Sequence, residues 1–206
     1  MSTTSRRTQE KENRKQAILD AAEKIMKQGG LHSLNVDLIA AETQLAKGTI
    51  YLYFSSKEEI MAGITTKARN LLYHEFKAIY TKELPIIDKI KLLIHANFLF
   101  SIKHPLYYDL VSLYEANHLL EESGALYKSS EEITELVHDM FLTAKNENLL
   151  RDELDPMIVT MNAWATTVGT LQMIKVRGKL IEDVFKISNL DLFNAHVDLF
   201  IHGILK

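Results

Sequence analysis

Apolar residues recur along most of this chain at helical spacing, with few glycines or prolines to interrupt them. The first apolar stripe begins at Ile18 and continues four, seven and eight residues later, at Ala22, Ile25 and Met26. This stripe predicts an amphipathic helix over about residues 12–28, because such positions share one face of a helix. The pair Gly29-Gly30 is a good stop signal for that helix.

Three more helices are predicted before residue 81. Asn35 can cap a second, short helix over residues 36–43, and its apolar residues Leu38, Ile39 and Ala40 are expected to be buried. A third helix begins near Lys47 and ends at about residue 54. The serines at 55 and 56, followed by acidic residues, read as the cap and first turn of a long fourth helix.

The rest of the chain continues the helical pattern, and each proline stands where the first turn of a helix tolerates it. The predicted helices cover residues 84–101, 105–120, 129–148, 155–176 and 190–205, with a short helical turn over 180–187. No stretch alternates apolar and polar residues for long enough to predict a strand. The sequence therefore predicts an all-α protein of about nine helices.

Composition narrows the functional classes. Of the 206 residues, 47% are hydrophobic and only 3 are proline, as expected of a folded globular protein. The absence of cysteine excludes disulfides, thiolate catalysis, zinc fingers and iron-sulfur ligation, and no metal or cofactor is expected. The polar N-terminus does not resemble a secretory signal, so a cytoplasmic protein is expected.

One uncharged segment, residues 156–174, is nearly long enough to span a bilayer. Six polar residues interrupt it, so a transmembrane helix would have to bury each of them without water. The sequence instead favours a helix packed against protein on more than one side, with a second copy of the chain as one possible partner.

Charge is distributed unevenly around a net value of −3. Up to residue 70 the chain has eleven Lys and Arg against eight Asp and Glu, whereas the remainder is acidic. A basic N-terminal third on an acidic body is typical of a small anion-binding domain joined to a regulatory body. A merely uneven solvated surface would have the same pattern.

The segment 35–54 has the size of a helix-turn-helix, with two short helices joined by residues 43–46. The face of the third helix opposite its apolar residues combines a cation, small residues, hydroxyls and aromatic rings: Lys47, Gly48, Thr49, Tyr51 and Tyr53. Such a face suits the major groove of DNA, where side chains reach base edges. A helical hairpin with solvent-exposed tyrosines is the alternative.

These residues also resemble a known family. The runs 36–40, 46–54 and 57–60 are similar to the DNA-binding signature of TetR-family transcriptional repressors, and residues 14–26 resemble the first helix of that family. The resemblance covers about residues 14–60. It implies a three-helix DNA-binding domain over residues 12–56, after a flexible tail over 1–11, and a ligand-binding and dimerisation domain over 57–206.

The resemblance also assigns roles to single residues. Residues expected at base edges or the adjacent backbone are Lys47, Gly48, Thr49 and Tyr51. Tyr53 and Lys57 would bind phosphates, while Val36 and Asp37 would approach the other strand. The chain departs from the family at two positions, because Gln44 replaces a frequent glycine in the turn and Ala46 replaces a frequent serine cap.

For the body, the resemblance implies a homodimer formed by the last two long helices and a pocket for a small-molecule effector. Candidate interface residues are Ala163, Ala165, Gly169, Phe193, Val197 and Ile201. Candidate pocket residues, which would suit an apolar or aromatic ligand, are Phe98, Tyr107, Tyr108, Tyr114, His118, Met161 and Trp164. Ordinary core packing is the alternative for both sets.

No catalytic motif is present, and the histidines lack the spacing of a metal site. The sequence predicts a transcriptional regulator, by resemblance a repressor, that binds a palindromic operator as a dimer and is released by a ligand. The alternative is an all-α carrier or enzyme without DNA binding. A membrane or partner-helix protein that uses residues 156–174 is a third possibility.

Overall fold

The structure is a computed structural model that describes the backbone of residues 3–116 and 124–206 and the side chains of residues 6–114 and 124–206. Within these residues the chain forms nine α-helices and no β-strand, which confirms the predicted all-α fold. The bounds are α1 Thr3–Gly29, α2 Val36–Thr43, α3 Lys47–Tyr51, α4 Lys57–Tyr80, α5 Ile86–Lys103, α6 Pro105–Ala116, α7 Gly124–Asn146, α8 Pro156–Phe185 and α9 Asn189–Ile204. The predicted pocket residue His118 lies outside the described residues.

Helix α1 begins nine residues earlier than the apolar stripe predicts, so residues 3–11 of the expected tail are helical. No glycine or proline occurs before Gly29, and side-chain pairs one turn apart support the early turns. The Arg6 guanidinium is 3.1 Å from the Glu10 carboxylate, and the Gln9 amide donates to Asn13 over 3.0 Å. The apolar pattern missed these turns because they are exposed.

Helix α8 also differs from its prediction, since it runs without a break through residues 177–179. Gly178 is buried there, and a Cβ at this position would lie 2.5 Å from the side-chain oxygen of Asn189. The glycine therefore permits close approach of the start of α9 and does not end the helix. The helix ends at Lys186, whose left-handed backbone serves as its C-cap.

The chain divides into two compact units. The first comprises Met1–Ala68 and Leu106–Tyr127, and the second comprises Arg69–Pro105 and Lys128–Lys206. In the first unit, the apolar face of α1 packs against α2, and Ile18, Ile39 and Ile50 are fully buried. Leu38 was expected in this core, but it is 50% exposed. The first unit thus contains all of α1 to α3.

A buried carboxylate ties α1 to two other helices of the first unit. The Glu23 side chain accepts from Lys27 over 2.5 Å, from Lys67 over 2.7 Å and from the Tyr107 hydroxyl over 2.8 Å. Burial opposes ionisation, but these hydrogen bonds outweigh it and hold the pKa of Glu23 below its usual value. The charge of Glu23 is therefore fully compensated inside the unit.

The second unit is built around the pairing of α8 with α9, and α5 packs against both helices. The Phe98 and Phe193 rings stack with centroids 4.8 Å apart in this interior. A short antiparallel bridge, in which the Arg151 amide donates to the carbonyl of Ile204 over 3.0 Å, holds the C-terminus. Among the residues that the structure describes, no helix is long and apolar enough to cross a membrane.

Candidate nucleic-acid interface

The start of α2 is fixed by a side-chain cap. The Asn35 side-chain oxygen accepts from the Asp37 amide over 2.8 Å, as the sequence predicts for an N-cap. Val36 is only 4% exposed, so its side chain belongs to the core and only its backbone remains for another molecule. Asp37 is exposed in the first turn, where its charge is favourable to the helix dipole.

The turn between α2 and α3 retains a strained residue. Gln44 has φ 55° and ψ 29°, a left-handed conformation that glycine adopts at lower cost. The Leu45 amide donates to the carbonyl of Ala40 over 3.1 Å and thereby closes the end of α2. The left-handed residue changes the direction of the backbone between α2 and α3, at a cost in conformational energy.

The start of α3 lacks a side-chain cap, because Ala46 at the N-cap position has an extended backbone but no side-chain acceptor. We expect Ala46→Ser to raise the free energy of unfolding by about 1 kcal/mol, since a serine hydroxyl can accept from an open amide of the first turn. Urea unfolding followed by circular dichroism measures the change. Ala17→Ser, on an exposed face in the middle of α1, is the matched control and should be slightly destabilising. Equal effects at the two positions would contradict the capping explanation.

The outer face of α3 is exposed as predicted for Lys47, Gly48 and Tyr51. Thr49 and Tyr53 are half-buried at its sides. Apart from its two neighbours and the backbone of its own helix, a Cβ added at Gly48 would meet no described atom within 4 Å. Packing within the chain therefore does not require this glycine, although it weakens a helix relative to alanine.

An ion pair links the two helices across this surface. The Lys47 Nζ atom lies 2.9 Å from the Asp37 carboxylate, and both side chains are more than half exposed. The hydrogen bond and the negative charge of Asp37 raise the pKa of Lys47. The Asp37 carboxylate therefore offsets part of the positive charge that Lys47 would present to an external anion.

The loop between α3 and α4 places a second cation beside α2. The Lys57 Nζ atom donates to the carbonyl of Leu34 over 3.3 Å, next to the capped start of α2. Ser56 caps α4 by accepting from the Glu59 amide over 3.1 Å, as predicted. In return, the Glu59 carboxylate accepts from both the amide and the hydroxyl of Ser55, which hold the pKa of Glu59 below its usual value.

Two exposed apolar residues on this surface were missed by the sequence analysis. Leu52 directly follows α3 and is 81% exposed, and Leu38 stands beside Asp37 on α2. Helices of eight and five residues are too short for apolar spacing to assign their faces, so neither exposure had a sequence signal. Together with Tyr51, they give this surface an apolar component suited to thymine methyl groups.

The predicted pocket residues divide between the two units. In the first unit, the Tyr107 hydroxyl donates to Glu23 and the Tyr114 hydroxyl donates to the carbonyl of Glu58 over 3.0 Å. Tyr108 is buried in the same unit. In the second unit, Phe98 stacks on Phe193, Trp164 is half-buried and Met161 is 46% exposed. Their use in ligand binding stays a prediction.

The predicted interface residues also fall into two groups. Ala163, Phe193, Val197 and Ile201 are buried within the second unit of a single chain. Ala165 and Gly169 are exposed on α8. Only these last two are available to a second copy, because the other four already pack against their own chain.

Acidic and histidine side chains are the candidate ligands for a metal centre, because these residue types ligate metals. Within residues 6–114 and 124–206, no group of three or more such side chains could hold a metal ion. The candidate functional site is therefore the surface formed by α2, α3 and the start of α4.

Comparison with known proteins agrees with this geometry. Residues 18–64 match the family model described as bacterial regulatory proteins, tetR family. The fatty acid metabolism regulator protein of Bacillus subtilis (strain 168) is 30% identical over 81 residues, which is 39% of this chain and 42% of that protein. The chain thus matches less than half the length of this relative.

Solved structures extend the similarity of fold to most of the chain. A TetR/AcrR-family transcriptional regulator from Thermobifida fusca has a TM-score of 0.70 at 19% identity, covering 93% of this chain and 98% of that structure. The transcriptional regulator FadR from Bacillus subtilis, solved in complex with stearoyl-CoA, has a TM-score of 0.66 at 19% identity, covering 92% and 98%. At this identity the similarity establishes the fold.

Proposed function

We propose that the chain is a TetR-family transcriptional repressor that binds a palindromic operator as a homodimer and leaves it when a small molecule binds. The match of residues 18–64 to the model of that family supports this proposal. The observation that carries the proposal is the open space in front of Gly48, at the centre of an exposed helix face. On a face that also exposes Lys47 and Tyr51, such a glycine leaves room for the close approach of another molecule.

DNA is the partner whose chemistry matches this surface. Lys47, Thr49 and Tyr51 can reach base edges from α3, and Leu52 can pack against thymine methyl groups. Tyr53 and Lys57 lie at the sides, where a duplex presents phosphates. Two such domains in a dimer would bind half-sites one helical turn, or a multiple of it, apart.

We expect Tyr51→Ala to weaken binding to the selected operator far more than binding to random duplex. Tyr51 is 48% exposed, so its loss should remove a base contact and leave the core intact. A base contact is worth about 1–3 kcal/mol, or roughly five- to 150-fold in affinity for each domain. Selection from a random duplex library followed by fluorescence anisotropy on selected and random DNA measures both affinities.

The matched variant is Lys57→Ala, which removes a predicted phosphate contact. It should weaken both duplexes to a similar extent and make the dependence of log affinity on log salt shallower by about 0.9 per lost contact. If Tyr51→Ala reduced the two affinities equally, its assignment to base recognition would be incorrect. A wild-type chain that enriched no sequence would overturn the proposed function itself.

The dimer is proposed on the outer face of α8. This helix buries one side within its own unit and exposes apolar residues along the opposite side, including Ile158, Met161, Val176 and Leu180. Between residues 156 and 174 it has no charge at all. Leu199 on α9 is 77% exposed next to this face, across a groove that Ile158 also lines. An apolar face of this length favours a second copy as its partner.

The effector is proposed to be a molecule with a long apolar chain. In the second unit, a small cavity of about 10 Å³ has only apolar lining residues: Ile90, Leu93, Ile94, Val137, Met140, Phe141 and Ala163. A ligand would have to widen it, and the flexible Met140 side chain can move most easily. The similarity to a fatty acid metabolism regulator and to a structure that binds stearoyl-CoA supports an acyl-CoA.

Release by an acyl-CoA can be tested directly. Stearoyl-CoA should lower operator affinity, and a hundredfold reduction requires a preference for the released state of about 2.7 kcal/mol. Anisotropy of labelled operator with increasing stearoyl-CoA measures the release, and free coenzyme A is the control that lacks the apolar chain. If the two compounds acted alike, or neither acted, the effector would belong to another chemical class.

A further inference from the structure

The N-terminal half of α1 has one strongly basic face. Arg7, Lys11, Arg14 and Lys15 are separated by four, three and one residues, so they lie along one side of the helix. The same line continues into Ile18 and Ala22, which are fully buried in the first unit. The basic residues therefore lie on the same side of α1 as its buried residues, but nearer to the N-terminus, where this side no longer packs against the domain.

Three of the four cations on this face have no carboxylate partner among the described side chains. Among the described side chains, none forms an ion pair or hydrogen bond with Arg7, Lys11 or Arg14, and all three are exposed. Arg6, one position away, is paired with Glu10. The other acidic residues of α1 lie away from the basic face: Glu12, Asp20 and Glu23. Three uncompensated cations on one side form a docking surface for a polyanion.

This basic face adjoins the proposed recognition surface. The Lys15 Nζ atom lies 5.5 Å from the centre of the buried Phe54 ring, and the Lys15 charge helps to lower the pKa of Glu59 at the start of α4. From Lys15 the cations continue for eight residues toward the N-terminus, which is about 12 Å of helix. This length corresponds to several phosphates of a duplex, whose axis carries one negative charge per about 1.7 Å.

We propose that Arg7, Lys11 and Arg14 bind the phosphate backbone of duplex DNA just outside the half-site that α3 contacts. The inference rests on the proposed operator binding and adds a contact that makes affinity depend on the DNA flanking the recognised sequence. Because the phosphate backbone is the same for every base sequence, this contact is independent of the sequence of the flanking DNA.

This contact is tested by measuring how the affinity of the wild type and of charge variants depends on the length of the DNA that flanks the operator. The full-length wild type is compared with Arg7→Gln/Lys11→Gln/Arg14→Gln on the selected operator, either trimmed to its core or extended by about one helical turn, ~10 base pairs, at each end. Lys82→Gln/Lys103→Gln/Lys128→Gln is the control, because it makes the same charge change at exposed sites outside the DNA-binding domain. Glutamine is also a good helix former, so α1 should remain folded.

The wild type should bind the extended duplex at least tenfold more tightly than the trimmed one, and the α1 variant should lose most of this difference. Its salt slope on the extended duplex should be shallower by up to about 2.7 per domain, or 0.9 for each phosphate contact. The control variant should keep the flank effect. An α1 variant with an unchanged flank effect and salt slope would overturn this inference alone, provided that selective operator binding persists. A wild type without selective binding would overturn the proposed function, and the inference with it.

Discussion

Gly48→Ala should make the protein more stable and its operator complex weaker. Alanine is the better helix former by up to about 1 kcal/mol, and a Cβ at this position meets no described atom beyond its two neighbours and the backbone of its own helix. On DNA, the same methyl group would occupy the space through which α3 approaches the bases. Such steric crowding costs about 1–3 kcal/mol for each domain, so operator affinity should fall by at least roughly tenfold. Urea unfolding and fluorescence anisotropy measure the two changes.

The opposite signs of these two effects distinguish a binding role from a structural one. Asn70→Ala, at an exposed position in the middle of α4, should give a gain in helix stability without a change in operator affinity. If Gly48→Ala destabilised the chain, local strain would explain any loss of binding. If it left DNA affinity unchanged, α3 would not approach DNA through this face.

Helical spacing predicted the fold well wherever a helix packs against the core. The stripe from Ile18 to Met26 gave α1 its position, and Asn35 and Ser56 marked the starts of α2 and α4. The method failed where a helix has no packed face, as in the first turns of α1. It also failed at Gly178, because a glycine that allows close packing looks in sequence like one that ends a helix.

The recognition surface was predicted less evenly. Lys47, Gly48 and Tyr51 are exposed as expected, whereas Val36 is buried and Leu52 is exposed. Helices as short as α2 and α3 contain only one or two turns. Sequence spacing alone therefore does not determine which of their residues are exposed. The contact of Lys47 with Asp37, ten residues earlier, depends on the angle between the two helices.

The dimer candidates show a related limit of sequence analysis. Phe193 and Val197 are apolar residues of α9, yet they face the interior of their own unit. Because α8 is apolar on two sides, composition predicts that it is doubly packed without indicating which side faces the same chain. Exposure in the folded chain resolves this choice and moves the proposed interface to Ile158, Val176 and Leu199.

Leu199→Asp should convert the dimer to a monomer and reduce operator affinity by about a hundredfold or more. In the isolated chain Leu199 is 77% exposed, so a carboxylate there should leave the fold intact. In the proposed dimer the carboxylate would lose its water without gaining a partner, at a cost of several kcal/mol. Each DNA-binding domain would then bind alone. Linking two domains typically raises affinity by about 10²- to 10⁴-fold, and this increase would be lost. Sedimentation equilibrium and anisotropy on the palindromic operator measure the two losses.

A matched variant separates the loss of the interface from the effect of a charge. Leu99→Asp makes the same substitution at 61% exposure on α5, a helix outside the proposed α8–α9 interface, and should leave a dimer with normal operator affinity. The affinity of Leu199→Asp for a single half-site should also match that of the wild type, since α3 is untouched. A dimeric Leu199→Asp would move the interface elsewhere, whereas a monomer with full affinity for the palindrome would show that the two domains bind DNA independently.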